Sequence, residues 1–192
     1  MYMFERIEMR IIAGKFRGRK LLEFENESTR PTLDRVKEPL FSILTPYIKD
    51  SCVLDLFSGT GNLAIEAISR GASFAWLNDI NMRALKVIYG NVRLTGIENY
   101  VKITKKEYEK CLKQVCKENM KFDIIFLDPP YACDYEKNVL KKIVEYDLLK
   151  SNGIVVLESD KRKKIDCSIP GLNLKDERTY GRVIIRFYEL EE

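Results

Sequence analysis

The chain has 192 residues, 45% of them hydrophobic and 32% charged, with a net charge of +4 and no histidine. That size suits one domain with a full core, and no apolar run approaches the ~20 residues that a membrane-crossing helix needs. The lack of histidine excludes His-based triads, His general bases and the common His-containing metal sites, so no metal is expected.

In chain order, Met9 to about Glu25 forms a basic arm whose strand-like halves flank Gly14-Lys15-Phe16-Arg17-Gly18, the pattern of a hairpin. A helix over Asp34–Thr45 follows, and Pro39 within it is expected to kink or delay it. Strands are then predicted at Cys52–Leu56, Phe74–Asp79, Val101–Thr104, Phe122–Leu127 and Gly153–Glu158. They alternate with helices at Gly61–Ser69, Met82–Thr95, Tyr108–Lys117 and Tyr135–Tyr146, and a hairpin around Gly181 closes the chain. Alternating strands and helices imply a mostly parallel sheet that binds ligands at the carboxyl ends of its strands. The five cysteines, Cys52, Cys111, Cys116, Cys133 and Cys167, form no C-x-x-C pair and read as reduced thiols. Charged residues Glu5, Arg6 and Glu8 argue against a secretory signal, so a cytoplasmic location is expected.

Two motifs carry chemistry. In Val53-Leu54-Asp55-Leu56-Phe57-Ser58-Gly59-Thr60-Gly61 an apolar strand ends in a glycine turn that opens onto a helix. Gly59 and Gly61 let a ligand approach the backbone, and the helix start presents free N–H groups. Gly59-x-Gly61-x-x-Ala64 fits a dinucleotide fingerprint, and Asp79 lies where an acidic side chain binds ribose hydroxyls in such folds. A nicotinamide dinucleotide and S-adenosylmethionine both suit this pattern. Asp55 favours the second, because an anion there would repel a pyrophosphate and attract a cationic amino group.

The other motif is Asp128-Pro129-Pro130-Tyr131, at the end of Ile124-Ile125-Phe126-Leu127. The Asp128 carboxylate and the Pro129 carbonyl can both accept hydrogen bonds from an NH₂ group, and Tyr131 offers a face for stacking. Pro129 and Pro130 stiffen the loop and remove donors. Paired acceptors aimed at an amine have no use in a dehydrogenase; they suit an amino-group methyltransferase.

These motifs resemble the RsmD family, bacterial methyltransferases acting on the exocyclic 2-amino group of a guanine in 16S ribosomal RNA. The resemblance runs from Met9 onward through Arg10-Ile11-Ile12-Ala13-Gly14-Lys15-Phe16-Arg17-Gly18-Arg19-Lys20, Arg30-Pro31-Thr32-Leu33-Asp34-Arg35-Val36-Lys37-Glu38 and both motifs, to Tyr180-Gly181. Residues 1–8 precede the usual family start. The resemblance implies a Rossmann-like class I S-adenosylmethionine-dependent methyltransferase of the α/β class, with a C-terminal antiparallel hairpin and an N-terminal basic β-hairpin arm. It implies catalytic roles for Asp128, Pro129, Pro130 and Tyr131, and cofactor binding by Thr32, Asp55, Phe57, Gly59, Thr60, Gly61, Asp79 and Glu107. Asp79 stands where the family often carries Glu, and Glu107 where it carries an adenine-contacting Asp.

Ribosomal RNA in a partly assembled small subunit is the expected partner. Arg10, Lys15, Arg17, Arg19 and Lys20, in a stretch with no acid, would meet its phosphates, and Phe16 could stack on a base. A second basic run, Lys161-Arg162-Lys163-Lys164, reads equally well as an exposed loop. A DNA adenine-N6 methyltransferase would use the same Asp-Pro-Pro-Tyr chemistry, although 192 residues leave little room for a target-reading region. A non-catalytic RNA-binding module of the same fold is a further alternative.

Overall fold

The computed structural model describes residues 9–23, 32–129, 135–162 and 168–191, with the side chains of residues 32–35 outside that description. Seven strands form one sheet in the order β3-β2-β1-β4-β5-β7-β6. The five parallel strands are β1 (Cys52–Asp55), β2 (Phe74–Asn78), β3 (Val101–Thr104), β4 (Phe122–Leu127) and β5 (Leu149–Asp160). β6 (Leu172–Tyr180) and β7 (Val183–Leu190) form the closing hairpin, and β7 lies antiparallel to β5. Its turn holds Gly181 at φ +62, a left-handed angle that glycine adopts without a side-chain penalty.

Alternation along the central strands assigns each side chain to one of two cores. Val53, Ala75, Leu77, Ile124 and Phe126 face α1 (Thr32–Ile48), α2 (Asn62–Ser69) and α3 (Met82–Thr95). Leu54, Trp76, Ile125 and Leu127 face α4 (Tyr108–Lys117) and α5 (Tyr135–Glu145). Both faces are therefore covered, as a parallel sheet requires. The ligand-accessible rim is left at the strand ends.

Two elements exceed their predicted bounds. β5 starts at Leu149 rather than Gly153, and its register against β4 shifts between Phe122 and Ile124, so the extra residues form an irregular lead-in. α1 starts at Thr32, runs to Ile48 and carries both Pro39 and Pro46. Its stripe of Val36, Leu40, Phe41, Leu44 and Ile48 is buried, which outweighs the missing amides. Ser42 Oγ donates to the Glu38 carbonyl at 2.9 Å and Thr45 Oγ1 to the Phe41 carbonyl at 3.0 Å, each bonding back to the preceding turn of the helix. No helix among the described residues is long and apolar enough to cross a membrane.

Candidate active site and nucleic-acid interface

Strand register brings three carboxylates to one edge. Asp55, the last residue of β1, pairs with Leu77 of β2 and Phe126 of β4. Asp79 and Asp128 each follow those partners by two residues, so they flank Asp55 at the carboxyl rim of the sheet. The loop after β1 is fixed by short bonds: Ser58 Oγ donates to the Asp55 carbonyl at 2.7 Å, and the Gly61 amide to the Ser58 carbonyl at 2.7 Å. Asp79 holds this loop against β2, accepting from the Gly59 amide at 2.9 Å and the Asn81 amide at 2.8 Å. A carboxylate has about four acceptor positions, so these bonds leave capacity for a diol.

Asp55 is only 3% exposed, and its Oδ2 has no hydrogen-bond partner. Burial pushes its carboxyl up to about 7; the Ala64 amide opposes that shift and the charge of Asp79 adds to it. A buried carboxylate oxygen without a donor is costly, and a cationic ligand would relieve the cost. The site residues thus fit the amino group of S-adenosylmethionine. Gly59, at φ +54, borders open space where a Cβ would stand, so its backbone is accessible to a ligand. Gly61, at φ +78, caps α2, and a Cβ there would lie 2.9 Å from Leu77 Cδ2. Tight packing therefore leaves no room for a side chain at this position.

Phe57 is half-buried and opens a row of aromatics, 6.0 Å from Tyr108, which is 5.1 Å from Tyr135 at the start of α5. Glu107 stands exposed just before α4, with Lys110 Nζ 3.8 Å from its carboxylate. Thr60 contributes differently: its hydroxyl contacts Met9 Sδ at 3.4 Å and its carbonyl accepts from Asn91, so it ties the arm and α3 to the glycine turn. Asp128 is half-buried and Pro129 buried at the end of β4. Pro130 and Tyr131 lie outside the described residues, and Thr32 is described only as the first residue of α1.

Three contributors escaped the sequence reading. Asn78 is buried and joins three loops: it donates to the carbonyls of Leu56 and Lys106 and accepts from the Lys106 amide and the Thr104 hydroxyl. Ser58 bonds back to the Asn78 amide at 3.1 Å. Ile80, 64% exposed directly after Asp79, gives the rim an apolar surface. Asn and Ser in a strand-to-loop junction resemble ordinary turn residues, so only their contacts reveal them.

The basic arm is a hairpin in its bonding, although too short for regular strands. Arg10 bridges Lys20, the Ile11 amide donates to the Arg19 carbonyl, and the Leu21 amide to the Met9 carbonyl. Met9, Ile11 and Leu21 are buried in the main core. The tip docks on the C-terminal end of α2, away from the carboxylates: the Lys15 amide bonds the Ser69 carbonyl at 2.7 Å and the Phe16 amide Ser69 Oγ at 3.0 Å. Phe16 packs partly against the core, with Lys15 Nζ 5.4 Å and the Arg19 guanidinium 5.5 Å from its ring centre. The ring expected to stack on a base is half-exposed and bordered by these two cations. Arg10, Lys15, Arg17, Arg19 and Lys20 are exposed. In the other basic run, Arg162 pairs with Asp160 at 2.7 Å, and Lys163 and Lys164 lie outside the described residues.

The close docking of the tip makes Gly14 critical. A Cβ there, at φ +83, would sit 1.9 Å from the Ser69 carbonyl oxygen, whereas at Gly18 it would meet nothing within 4 Å. Gly14→Ala should cost roughly 1–3 kcal/mol and loosen the tip, and Gly18→Ala about 1 kcal/mol from its left-handed backbone alone. Thermal melts of the two variants check the order; equal losses would mean that the tip does not press on α2.

Comparison with known proteins agrees with this architecture. Residues 9–189 match the family model described as Conserved hypothetical protein 95. The chain is 34% identical over 181 residues to YlbH of Bacillus subtilis, covering 94% of this chain and 98% of that protein. It is 35% identical over 183 residues to the Ribosomal RNA small subunit methyltransferase D of Haemophilus influenzae, covering 95% and 94%. The solved yhhF protein of Escherichia coli superposes with a TM-score of 0.84 at 30% identity, over 96% of this chain and 98% of that one. With the sheet order, the glycine turn and these matches together, the chain belongs to the RsmD family.

Proposed function

We propose that the protein transfers a methyl group from S-adenosylmethionine to ribosomal RNA, at the exocyclic 2-amino group of a guanine in the 16S molecule. The observation that carries this reading is the buried, donorless Oδ2 of Asp55 beside an accessible glycine turn, with the Asp128-Pro129 acceptors on the adjoining strand. The names of the methyltransferase D relatives support the RNA substrate.

S-adenosylmethionine, when bound, supplies an electrophilic methyl group on a sulfonium. Asp55 would pair with its amino group, Asp79 would accept from its ribose, and Phe57, Gly59 and Glu107 would border the rest, with Gly61 and Thr60 shaping the loop and Thr32 contributing from the start of α1. The amine of guanine is a weak nucleophile because its lone pair is delocalised into the ring. Hydrogen bonds from that NH₂ to the Asp128 carboxylate and the Pro129 carbonyl hold the nitrogen pyramidal and aim its lone pair. The proton leaves to Asp128 or to water. The base must be unstacked to reach this rim, and Tyr131 is assigned to stack on it. Arg10, Lys15, Arg17, Arg19 and Lys20 meet phosphates, within a partly assembled small subunit.

Tritiated methyl transfer to naked RNA, to DNA and to partly assembled small subunits, followed by nucleoside analysis, tests the proposal. Labelled 2-methylguanosine in 16S RNA is expected. Label confined to adenine in DNA would replace the reading, and cofactor binding without transfer to any substrate would make the chain an RNA-binding module.

The buried Asp55 adds a pH prediction. Its carboxyl titrates near 3.9 in an unfolded chain and near 7 in the fold. The folded state therefore holds a proton that the unfolded state releases, and stability falls as pH rises from about 4 to about 7, then levels off. Cofactor binding needs the anion, so affinity for S-adenosylmethionine should weaken below pH 7, by at most about tenfold per pH unit. No histidine is present to titrate in that window. Calorimetry between pH 5.5 and 7.5 should show this slope in the natural protein and a flat profile in Asp55→Asn. A flat profile in both would remove Asp55 from the amino-group site.

A further inference from the structure

The docked arm tip and the carboxylate rim sit at opposite ends of α2. An RNA that delivers a base to Asp128 and also touches the tip has to cross the surface between them. α2 offers no such ground, because Ala64 through Ser69 are all buried. On α1, the exposed charge among the described residues is Glu38, which repels phosphate.

α3 spans the gap. It begins at the Asn81 cap, whose amide is bound by Asp79, and near its other end the Leu94 carbonyl accepts from the Arg19 guanidinium of the arm. Its 14 residues extend about 21 Å. Leu22 of the arm lies across it, so close that a Cβ at Gly90 would meet Leu22 Cδ1 at 2.5 Å. The two surfaces are therefore continuous.

The composition of α3 is as informative as its position. It carries Arg83, Lys86 and Arg93 and no acidic residue. Met82, Lys86, Tyr89 and Arg93, spaced four, three and four residues apart, share one outward stripe, with Arg83 and Leu94 beside it. All of these are exposed, and Tyr89 keeps 54% of its surface in solvent. Among the described residues no ion pair engages the three cations. Cations one and two helical turns apart, with an aromatic ring between Lys86 and Arg93, suit a polyanion carrying flat bases.

We infer that the outer face of α3 is a second RNA-binding surface, a phosphate track leading from the arm to the target base, with Tyr89 as a stacking platform for an unpaired base. This rests on the RNA-methylating reading and extends it to residues outside the arm and the rim.

The test is the triple variant Arg83→Gln, Lys86→Gln, Arg93→Gln in the full chain, alongside the natural protein. If the natural protein neither binds nor methylates RNA, the function and the track fall together. If it does, the triple variant should raise KM for the RNA substrate at least about tenfold and leave kcat at saturation nearly unchanged. It should also flatten the log–log salt dependence of RNA binding by roughly 2–3, at about 0.7–0.9 for each phosphate that is no longer neutralised. The charge-keeping pair Arg83→Lys, Arg93→Lys, with Lys86 intact, should keep the natural slope, and a triple variant that is merely misfolded would bind RNA at no salt concentration. Tyr89→Ala should weaken binding severalfold with the slope unchanged. Unaltered KM and slope in the triple variant would overturn the track while leaving the function standing. Loss of activity on protein-containing particles alone, with free-RNA binding intact, would make the face a protein-binding surface and also overturn it.

Discussion

Replacing Asp128 with alanine is expected to lower methyl transfer at least about a hundredfold while leaving cofactor affinity within about threefold. Two different sets of groups are involved. The glycine turn, Asp55 and Asp79 belong to β1, β2 and the loops that follow them, tied together by the Gly59–Asp79 and Ser58–Asn78 bonds. Asp128 follows β4, on the other side of Asp55 from those two bonds. Its removal deletes a charged acceptor for the amine at the moment the nitrogen becomes more positive. A preorganised group of that kind is worth on the order of 3 kcal/mol in a water-poor site. Asp128→Asn keeps an acceptor oxygen and loses the charge, so its activity should fall between the two. Single-turnover transfer to the RNA substrate, with calorimetry for the cofactor, separates the effects. Near-normal turnover in Asp128→Ala would end the role assigned to this carboxylate, and a parallel collapse of cofactor affinity would move it into the donor pocket.

The parts of this site that were legible in the sequence were those encoded by local periodicity. Strand-then-acid units can be read in one dimension, and parallel register does the rest: with Asp55 opposite Leu77 and Phe126, Asp79 and Asp128 have to meet it at the rim. Gly59 and Gly61 announced a turn, but only the three-dimensional packing separates the glycine that borders open space from the one packed under Leu77. The docking of the arm was illegible for a different reason. Arg10 to Lys20 reads as a solvated basic hairpin, and the groups that hold it, Ser69 and Glu66, look like ordinary polar residues on an amphipathic helix. Nothing in one dimension says that α2 is buried on every side except at Leu63. Asn78 was hidden likewise, because its value lies in contacts with segments more than twenty residues away.

Glu66 carries the largest stability prediction. It is 0% exposed and accepts from the Ile12 amide at 2.8 Å, the Ala13 amide at 3.0 Å and Arg70 Nε at 2.7 Å. Lys37 Nζ lies 3.4 Å away, itself only 1% exposed, and donates to the Arg10 carbonyl at 2.6 Å and to Asn62 Oδ1 at 2.8 Å. One carboxylate thus neutralises a buried ammonium, anchors α2 to α1 and satisfies two amides of the arm. Glu66→Ala strips all of these at once and should cost about 3–5 kcal/mol, a large share of a typical 5–15 kcal/mol stability. Lys37→Met removes the ammonium but leaves Glu66 with Arg70 and both amides, so it should cost clearly less. The arm contributes buried Met9, Ile11 and Leu21, and its release before global unfolding would leave less surface to expose in the main transition. Glu66→Ala should therefore lower the urea m-value as well as the midpoint, whereas Lys37→Met should shift the midpoint alone. If Lys37→Met proves the more damaging, or if Glu66→Ala leaves the m-value unchanged, the carboxylate does not hold the arm, and its docking depends on the apolar packing of Met9, Ile11 and Leu21 instead.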